Sequence, residues 1–292
     1  TDDRCLDTYD GSKWAKNCDM KDNGDGQLPA NSWKSRADFV GAARSHAVGF
    51  SIVGKGYIGT GFDGILKKDF WEFDPFTNIW TQKADFGGTA RFEAVGFSIG
   101  AKGYIGTGID GGLKKDFWEY DPSINTWTQK ADFGGTERYE AVGFSILGKG
   151  YIGTGYDGSL KKDFWEFTPA GGGLGSWVQK ADFVGTARSH AVAFSIVAKG
   201  YIGTGDDGSF KKDFWEFTPA GGGLGTWVQK ADFGGTVRTK ATGFSIASKG
   251  YIGTGYDGNA NKKDFWEYNT INNTWTQKAD FAGTGRYRAV GF

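Results

Sequence analysis

An all-β ring of small four-stranded antiparallel sheets is the fold class predicted by this chain, on three observations. First, a unit of 47 to 50 residues recurs five times almost verbatim, its leading tryptophan standing at Trp33, Trp80, Trp127, Trp177, Trp227 and Trp275. A period of this size belongs to supersecondary units that stack on one another, and the content of each unit selects four short strands over a helical repeat. Second, the 50 glycines occupy fixed columns of the unit and the aromatic residues occupy others, which is a grammar of turns and strands and not low complexity. Third, no stretch approaches the roughly 18 apolar residues of a membrane-spanning helix. The repeats divide the 292 residues into one closed array, so one domain is expected. Acidic and basic residues cancel at 34 each, and nothing in that balance points to nucleic acid or an anionic membrane.

Each element follows from the copy at residues 91–127. Ala94-Val95-Gly96-Phe97-Ser98-Ile99 alternates small and large side chains, as a strand packed between neighbouring sheets should. Lys102-Gly103-Tyr104-Ile105-Gly106-Thr107 is a second strand, ended by Gly108-Ile109-Asp110-Gly111, residues that tolerate the positive φ of a tight turn. Phe117-Trp118-Glu119-Tyr120 is a third, stopped by Asp121-Pro122 because proline cannot donate to a ladder. Asn125-Thr126-Trp127-Thr128-Gln129 turns and forms the fourth. From the inside outward these are strands a to d of one blade.

Arg91, the Gly106-Thr107-Gly108 strand end, Phe117-Trp118-Glu119-Tyr120-Asp121-Pro122 and Asn125-Thr126-Trp127 resemble a kelch repeat, and the likeness covers residues 31–292 in six registers. Gly-Thr-Gly stands where that family usually has Gly-Gly. The repeated KADF and KKDFWE wording also resembles secreted bacterial kelch proteins of galactose-oxidase-like description. The resemblance implies a β-propeller, and a fold carries no activity by itself.

The repeats supply five complete blades and the inner strand of another, Ala289-Val290-Gly291-Phe292. Propellers seal the seam between first and last blades, because an open sheet edge invites association. Tyr9-Asp10-Gly11-Ser12-Lys13-Trp14 resembles the b–c turn at residues 156–161, and Pro29-Ala30-Asn31-Ser32-Trp33 resembles the start of strand d. Residues 1–36 are therefore expected to form strands b, c and d of a diverged sixth blade, completed by the C-terminal strand, with residues 37–292 as the propeller blades. The competing reading is a chain cut in mid-blade with further blades lost. The only methionine is Met20, so Thr1 reads as a processed terminus or a fragment edge, and a removed secretory signal would explain it. Both cysteines, Cys5 and Cys18, lie in the diverged segment, where a disulfide would staple a weakly cored piece in an extracellular protein.

Columns that hold blades together should be identical in near-identical copies, so columns that vary are either unconstrained or given to a ligand. Two residues after each strand-a arginine stand His46, Glu93, Glu140, His190, Lys240 and Arg288. One residue after it stand Ser45, Phe92, Tyr139, Ser189, Thr239 and Tyr287, and the b–c turn carries Phe62, Ile109, Tyr156, Asp206 and Tyr256. Strand direction reverses at each step, so the d–a and b–c connections emerge on one end of the propeller. The a–b turns on the opposite end vary only among small or aliphatic residues, as Val53-Gly54, Leu147-Gly148 and Val197-Ala198 show. His46, Glu93, Tyr139, Glu140, Tyr156, His190, Asp206, Lys240, Tyr256, Tyr287 and Arg288 are accordingly the candidate ligand-binding residues, since recognition concentrates in loops on a rigid scaffold.

Candidate chemistry is sparser. His46 and His190 share one column three units apart, which places them on opposite sides of a six-fold ring, too distant to share a metal directly. The copper of a galactose oxidase also needs a tyrosine linked to a cysteine, and the blades contain no cysteine. Glu93 and Glu140 stand in adjacent blades and could form an acid–base pair, against which solvated charges are the simpler reading. The repeated arginines at 44, 91, 138, 188, 238 and 286 point to a structural ion pair with the aspartate of Ala-Asp-Phe or of Lys-Lys-Asp. Asp19-Met20-Lys21-Asp22-Asn23-Gly24-Asp25-Gly26 is acidic but fails the alternate-oxygen spacing of a calcium loop. No cofactor, no catalytic residue, no nucleic acid and no membrane span is expected. The function read from these residues is an extracellular or cell-surface binding module for a glycan or protein, with a carbohydrate-active enzyme on the same fold, or an adhesion or assembly role, as the alternatives.

Overall fold

The computed structural model describes residues 31–292, together with the backbone of two strands nearer the N-terminus. Those strands are β1 (Cys5–Tyr9) and β2 (Lys13–Cys18), followed by β3 (Lys34–Asp38). The first repeat gives β4 (Val48–Ile52), β5 (Lys55–Gly59), β6 (Phe70–Asp74) and β7 (Ile79–Lys83); the second gives β8 (Val95–Ile99), β9 (Lys102–Gly106), β10 (Phe117–Asp121) and β11 (Thr126–Gln129). The third gives β12 (Val142–Ile146), β13 (Lys149–Gly153), β14 (Phe164–Thr168) and β15 (Ser176–Gln179), and the fourth β16 (Val192–Ile196), β17 (Lys199–Gly203), β18 (Phe214–Thr218) and β19 (Thr226–Lys230). The fifth gives β20 (Thr242–Ile246), β21 (Lys249–Gly253), β22 (Phe265–Asn269) and β23 (Thr274–Lys278), and β24 is Val290–Gly291. Each repeat is one antiparallel sheet with its strands in sequence order.

Five repeat-built blades result, which corrects the expectation of a six-bladed propeller whose last, diverged blade is closed by the two termini. The remaining sheet, in the order β24-β1-β2-β3, is of another kind. Its β24 meets β1 in two register pairs, Thr8 with Gly291 and Tyr9 with Val290. The inner pair of every repeat-built blade has five, as in Val142–Gly153 through Ile146–Lys149. The physical reason lies in the wording: only Val290-Gly291 of the five-residue strand a is in ladder form, and β1 reads CLDTY where each blade has KGYIG. Register also sets Cys5 opposite Cys18, whereas their side chains and the acidic loop at residues 19–26 lie outside the described residues.

Blades interlock through glycine. A Cβ on Gly143 would sit 2.2 Å from the Val95 side chain, and one on Gly150 would sit 2.5 Å from Phe97, both in the preceding blade. Those glycines in strands a and b open the slots into which the neighbour's core side chains fit, giving clusters such as Val95, Phe97, Tyr104, Phe117 and Phe167. The strand-d tryptophan is part of the same seam. Trp127 lies 5.0 Å from Phe70 and 5.1 Å from Phe86 of the previous unit, and its Nε1–H donates to the Ala84 carbonyl at 3.1 Å.

The repeated arginines are structural, and their partner is the aspartate of Lys-Lys-Asp. Arg91, with a fully buried side chain, makes a two-pronged pair with Asp116 at 2.5 and 2.7 Å, donates to the Thr107 carbonyl at 2.9 Å and covers the Phe86 ring at 5.0 Å. Trp118 donates to the same carboxylate at 2.8 Å. Arg44–Asp69, Arg138–Asp163, Arg188–Asp213 and Arg238–Asp264 repeat the arrangement.

Candidate functional site

The inner strands line a narrow axial channel of about 180 Å³, walled by Ala47-Val48-Gly49 and its counterparts through Ala289-Val290-Gly291. The residue before each wall alanine is a member of the first variable column, so His46, Glu93, Glu140, His190, Lys240 and Arg288 ring one mouth of that channel. All six adopt the left-handed conformation, with φ between 52° and 60°. For residues other than glycine this conformation is uncommon and carries strain. It is held by a chain of backbone bonds from blade to blade: Glu93 N–H donates to the His46 carbonyl, Glu140 to Glu93, His190 to Glu140, Lys240 to His190 and Arg288 to Lys240, at 2.9–3.3 Å.

In chain order the ring runs histidine, two glutamates, histidine, lysine, arginine, so an acidic half faces a basic half. Glu93 Oε1 stands 3.2 Å from His46 Nε2, 3.5 Å from His190 Nε2 and 3.0 Å from the Arg288 guanidinium. Glu140 pairs with His190 Nε2 at 2.9 Å. This corrects one expectation. Glu93 and Glu140 are not solvated, their side chains being 8% and 11% exposed, and although His46 and His190 belong to opposite units, both reach the Glu93 carboxylate. The signal that could have revealed this is the invariant small residue after each ring position, which leaves the axis narrow enough for opposite side chains to touch.

Two serines orient the imidazoles. Ser45 Oγ lies 2.6 Å from His46 Nδ1, and Ser189 Oγ lies 3.2 Å from His190 Nδ1, leaving each Nε2 turned to the ring. Burial, reinforced by the charge of Arg288, pushes His46 down to about 4, so at neutral pH its Nε2–H donates to Glu93 and its Nδ1 accepts from Ser45. Burial works to raise the Glu140 carboxyl, but the hydrogen bond and charge of His190 hold it below the usual carboxylate range. Lys240 is depressed by its own burial and by Arg288. Glu93, Glu140 and His190 converge closely enough to chelate a cation, and the Arg288 guanidinium already stands among them, 3.3 Å from His190 Nε2.

A pH prediction follows from His46. Its folded pKa lies below the unfolded value near 6.5, so the unfolded chain takes up the proton first and the contribution to stability, complete above that value, is lost as pH falls towards about 4. His46→Asn is expected to lose less stability than the native chain between pH 6.5 and 4, the pH limits being the two pKa values just given. Urea melts at both limits decide it; equal losses in the two proteins would refute the neutral, buried imidazole.

The other two columns pair with each other around the ring. Backbone bridges join Ser45 to Phe62, Phe92 to Ile109, Tyr139 to Tyr156, Ser189 to Asp206 and Thr239 to Tyr256. Tyr139 and Tyr156 meet edge to face at 5.7 Å, Tyr256 lies 6.5 Å from Tyr287, and the Tyr287 ring is flanked by Lys240 at 5.8 Å and Arg288 at 5.7 Å. Asp206 acts on Lys240 from the neighbouring turn. Ser45, Ser189 and Thr239 stand in a variable column of the sequence but not among the candidate binding residues, because their roles depend on contacts with the ring.

The fold and this mouth define a repeat-built β-propeller with an ionisable ring at one end of its channel. A solved structure, described as the structure of YjhT, is similar to the chain at a TM-score of 0.71 and 16% identity, over 85% of this chain and 86% of that one. At that identity the likeness shows the propeller fold. Neither a family model nor a curated protein matches the chain. Among the described residues no helix is long and apolar enough to cross a membrane.

Proposed function

We propose that the chain is a kelch-type propeller serving as an extracellular binding module, which recognises a glycan or a protein surface with the d–a/b–c end. The observation that supports this reading is the pairing of all three variable columns around one channel mouth, where aromatic, hydroxyl and charged side chains collect on a rigid frame. Aromatic groups are the usual anchors of sugar and protein recognition. The test is a glycan and surface-protein binding screen, followed by replacement of His46, Tyr139, Tyr156, His190 and Tyr256 with alanine. Binding is expected to vanish while the melting curve keeps its cooperative shape.

Controls belong on the opposite end, where Val53, Leu147 and Val197 are 82%, 77% and 82% exposed. Alanine there should leave affinity within about threefold, below the ~1.4 kcal/mol of a tenfold change. Loss from the control set alone would move the recognition surface to that apolar end and favour an assembly role.

Extracellular placement and the staple are tested together. Opposed positions on paired strands bring Cα atoms within about 4.5–5.5 Å, inside the range a disulfide spans, and register opposes Cys5 and Cys18. Intact mass after alkylation without reductant should show no added label; two alkylated thiols would sink the disulfide.

A further inference from the structure

The acidic half of the ring is internally answered, and in the basic half Arg288 is paired but Lys240 is not. Glu93 and Glu140 receive His46, His190 and Arg288, whereas Lys240, alone of the four charged ring members among the described residues, forms no ion pair. Its ammonium lies over the face of Tyr287 at 5.8 Å. Two further donors at this place are buried without a hydrogen-bond partner among the described residues: the Thr239 hydroxyl, in a residue 2% exposed, and Arg288 Nε–H. The other unpartnered threonines, Thr60, Thr107, Thr154 and Thr204, belong to one structural column repeated in successive blades. Thr239 stands instead in the column whose serines at 45 and 189 bond to the following histidine, and the residue following it is a lysine, which offers no acceptor. A buried donor left unmade is costly, so two of them, on the residue before Lys240 and on Arg288, whose backbone bonds to Lys240, mark a missing acceptor.

We infer that Lys240, Thr239 and Arg288 form a subsite for the carboxylate of a small organic acid. The inference deepens the recognition-end reading and rests on it. A singly charged acceptor fits better than a phosphate dianion, because Glu93 already pairs with Arg288 and the neighbouring Glu140 and Asp206 carboxylates would repel a second negative charge. Tyr287, 43% exposed, walls the subsite and offers an apolar face to the body of the acid.

The probes are acetate, acetamide and inorganic phosphate, titrated into the native chain while the side-chain Nε–H resonance of Arg288 is followed by NMR. Acetate is expected to shift that resonance saturably and acetamide to leave it in place. Lys240→Met should weaken acetate at least tenfold, and Thr239→Val about threefold or more. A purely structural threonine would give the opposite signature, unchanged acetate affinity with a higher melting temperature. Absence of saturable acetate binding, equal affinity in the Lys240→Met protein, or phosphate binding tighter than acetate would each overturn the subsite. Because the probes are small molecules, this result is independent of the partner screen, and a failure of one is distinguishable from a failure of the other.

Discussion

Arg138→Met is expected to remove about 3–5 kcal/mol of stability, the cost of leaving a buried partner charge unanswered. The Arg138 side chain is fully buried and holds Asp163 at 2.6 and 2.7 Å, the Thr154 carbonyl at 3.0 Å and the Phe133 face at 4.9 Å. Its loss strands a carboxylate that burial works to raise and that Arg138 holds below its usual range. Urea denaturation measures the effect. The double replacement Arg138→Met with Asp163→Leu should recover a large part of it, since an apolar pair of similar volume removes the stranded charge. A native midpoint in the single variant would show that the arginine girdle does not hold the blades.

Trp127→Ala is expected to cost about 3 kcal/mol, the low end of the range for deleting a large buried aromatic, because Trp127 is partly buried in the seam. The tryptophan belongs to two blades at once: it lies 5.0 Å from Tyr120 in its own sheet and 5.0 Å from Phe70 in the preceding one. The substitution therefore opens a seam and not only an outer edge, and it removes the donor to the Ala84 carbonyl. Susceptibility to proteolysis between the first two repeat-built blades should rise with the loss of stability. An unchanged melt would show that the seam closes without the indole.

The blade itself was legible in the sequence. Alternation in Val95-Gly96-Phe97-Ser98-Ile99, the Asp-Gly turns and the Asp121-Pro122 stop each act over a few residues, so local rules set every strand of the repeats. The structural reading of the arginines was equally legible, because identical columns have identical jobs; the choice between two aspartates needed the folded register. Variable columns told where copies differ, and reversal of strand direction told that they share one end. What the sequence by itself determined, then, was the repeating sheet and the end on which its differences collect.

Tertiary structure alone decided the rest, for reasons of closure and distance. The count of equivalent blades depends on how far β24 extends along β1, a long-range pairing that no local pattern encodes. Convergence of His46 and His190 on Glu93 depends on the channel radius, which is set by six inner strands packed side by side. Whether a ring charge is answered or left over likewise follows from which blade stands opposite it. Residues far apart along the chain acquire a common chemistry only when the ring of sheets brings their left-handed backbones to one mouth, because charge–charge and hydrogen-bond energies fall off within a few ångströms and sequence order does not carry those distances.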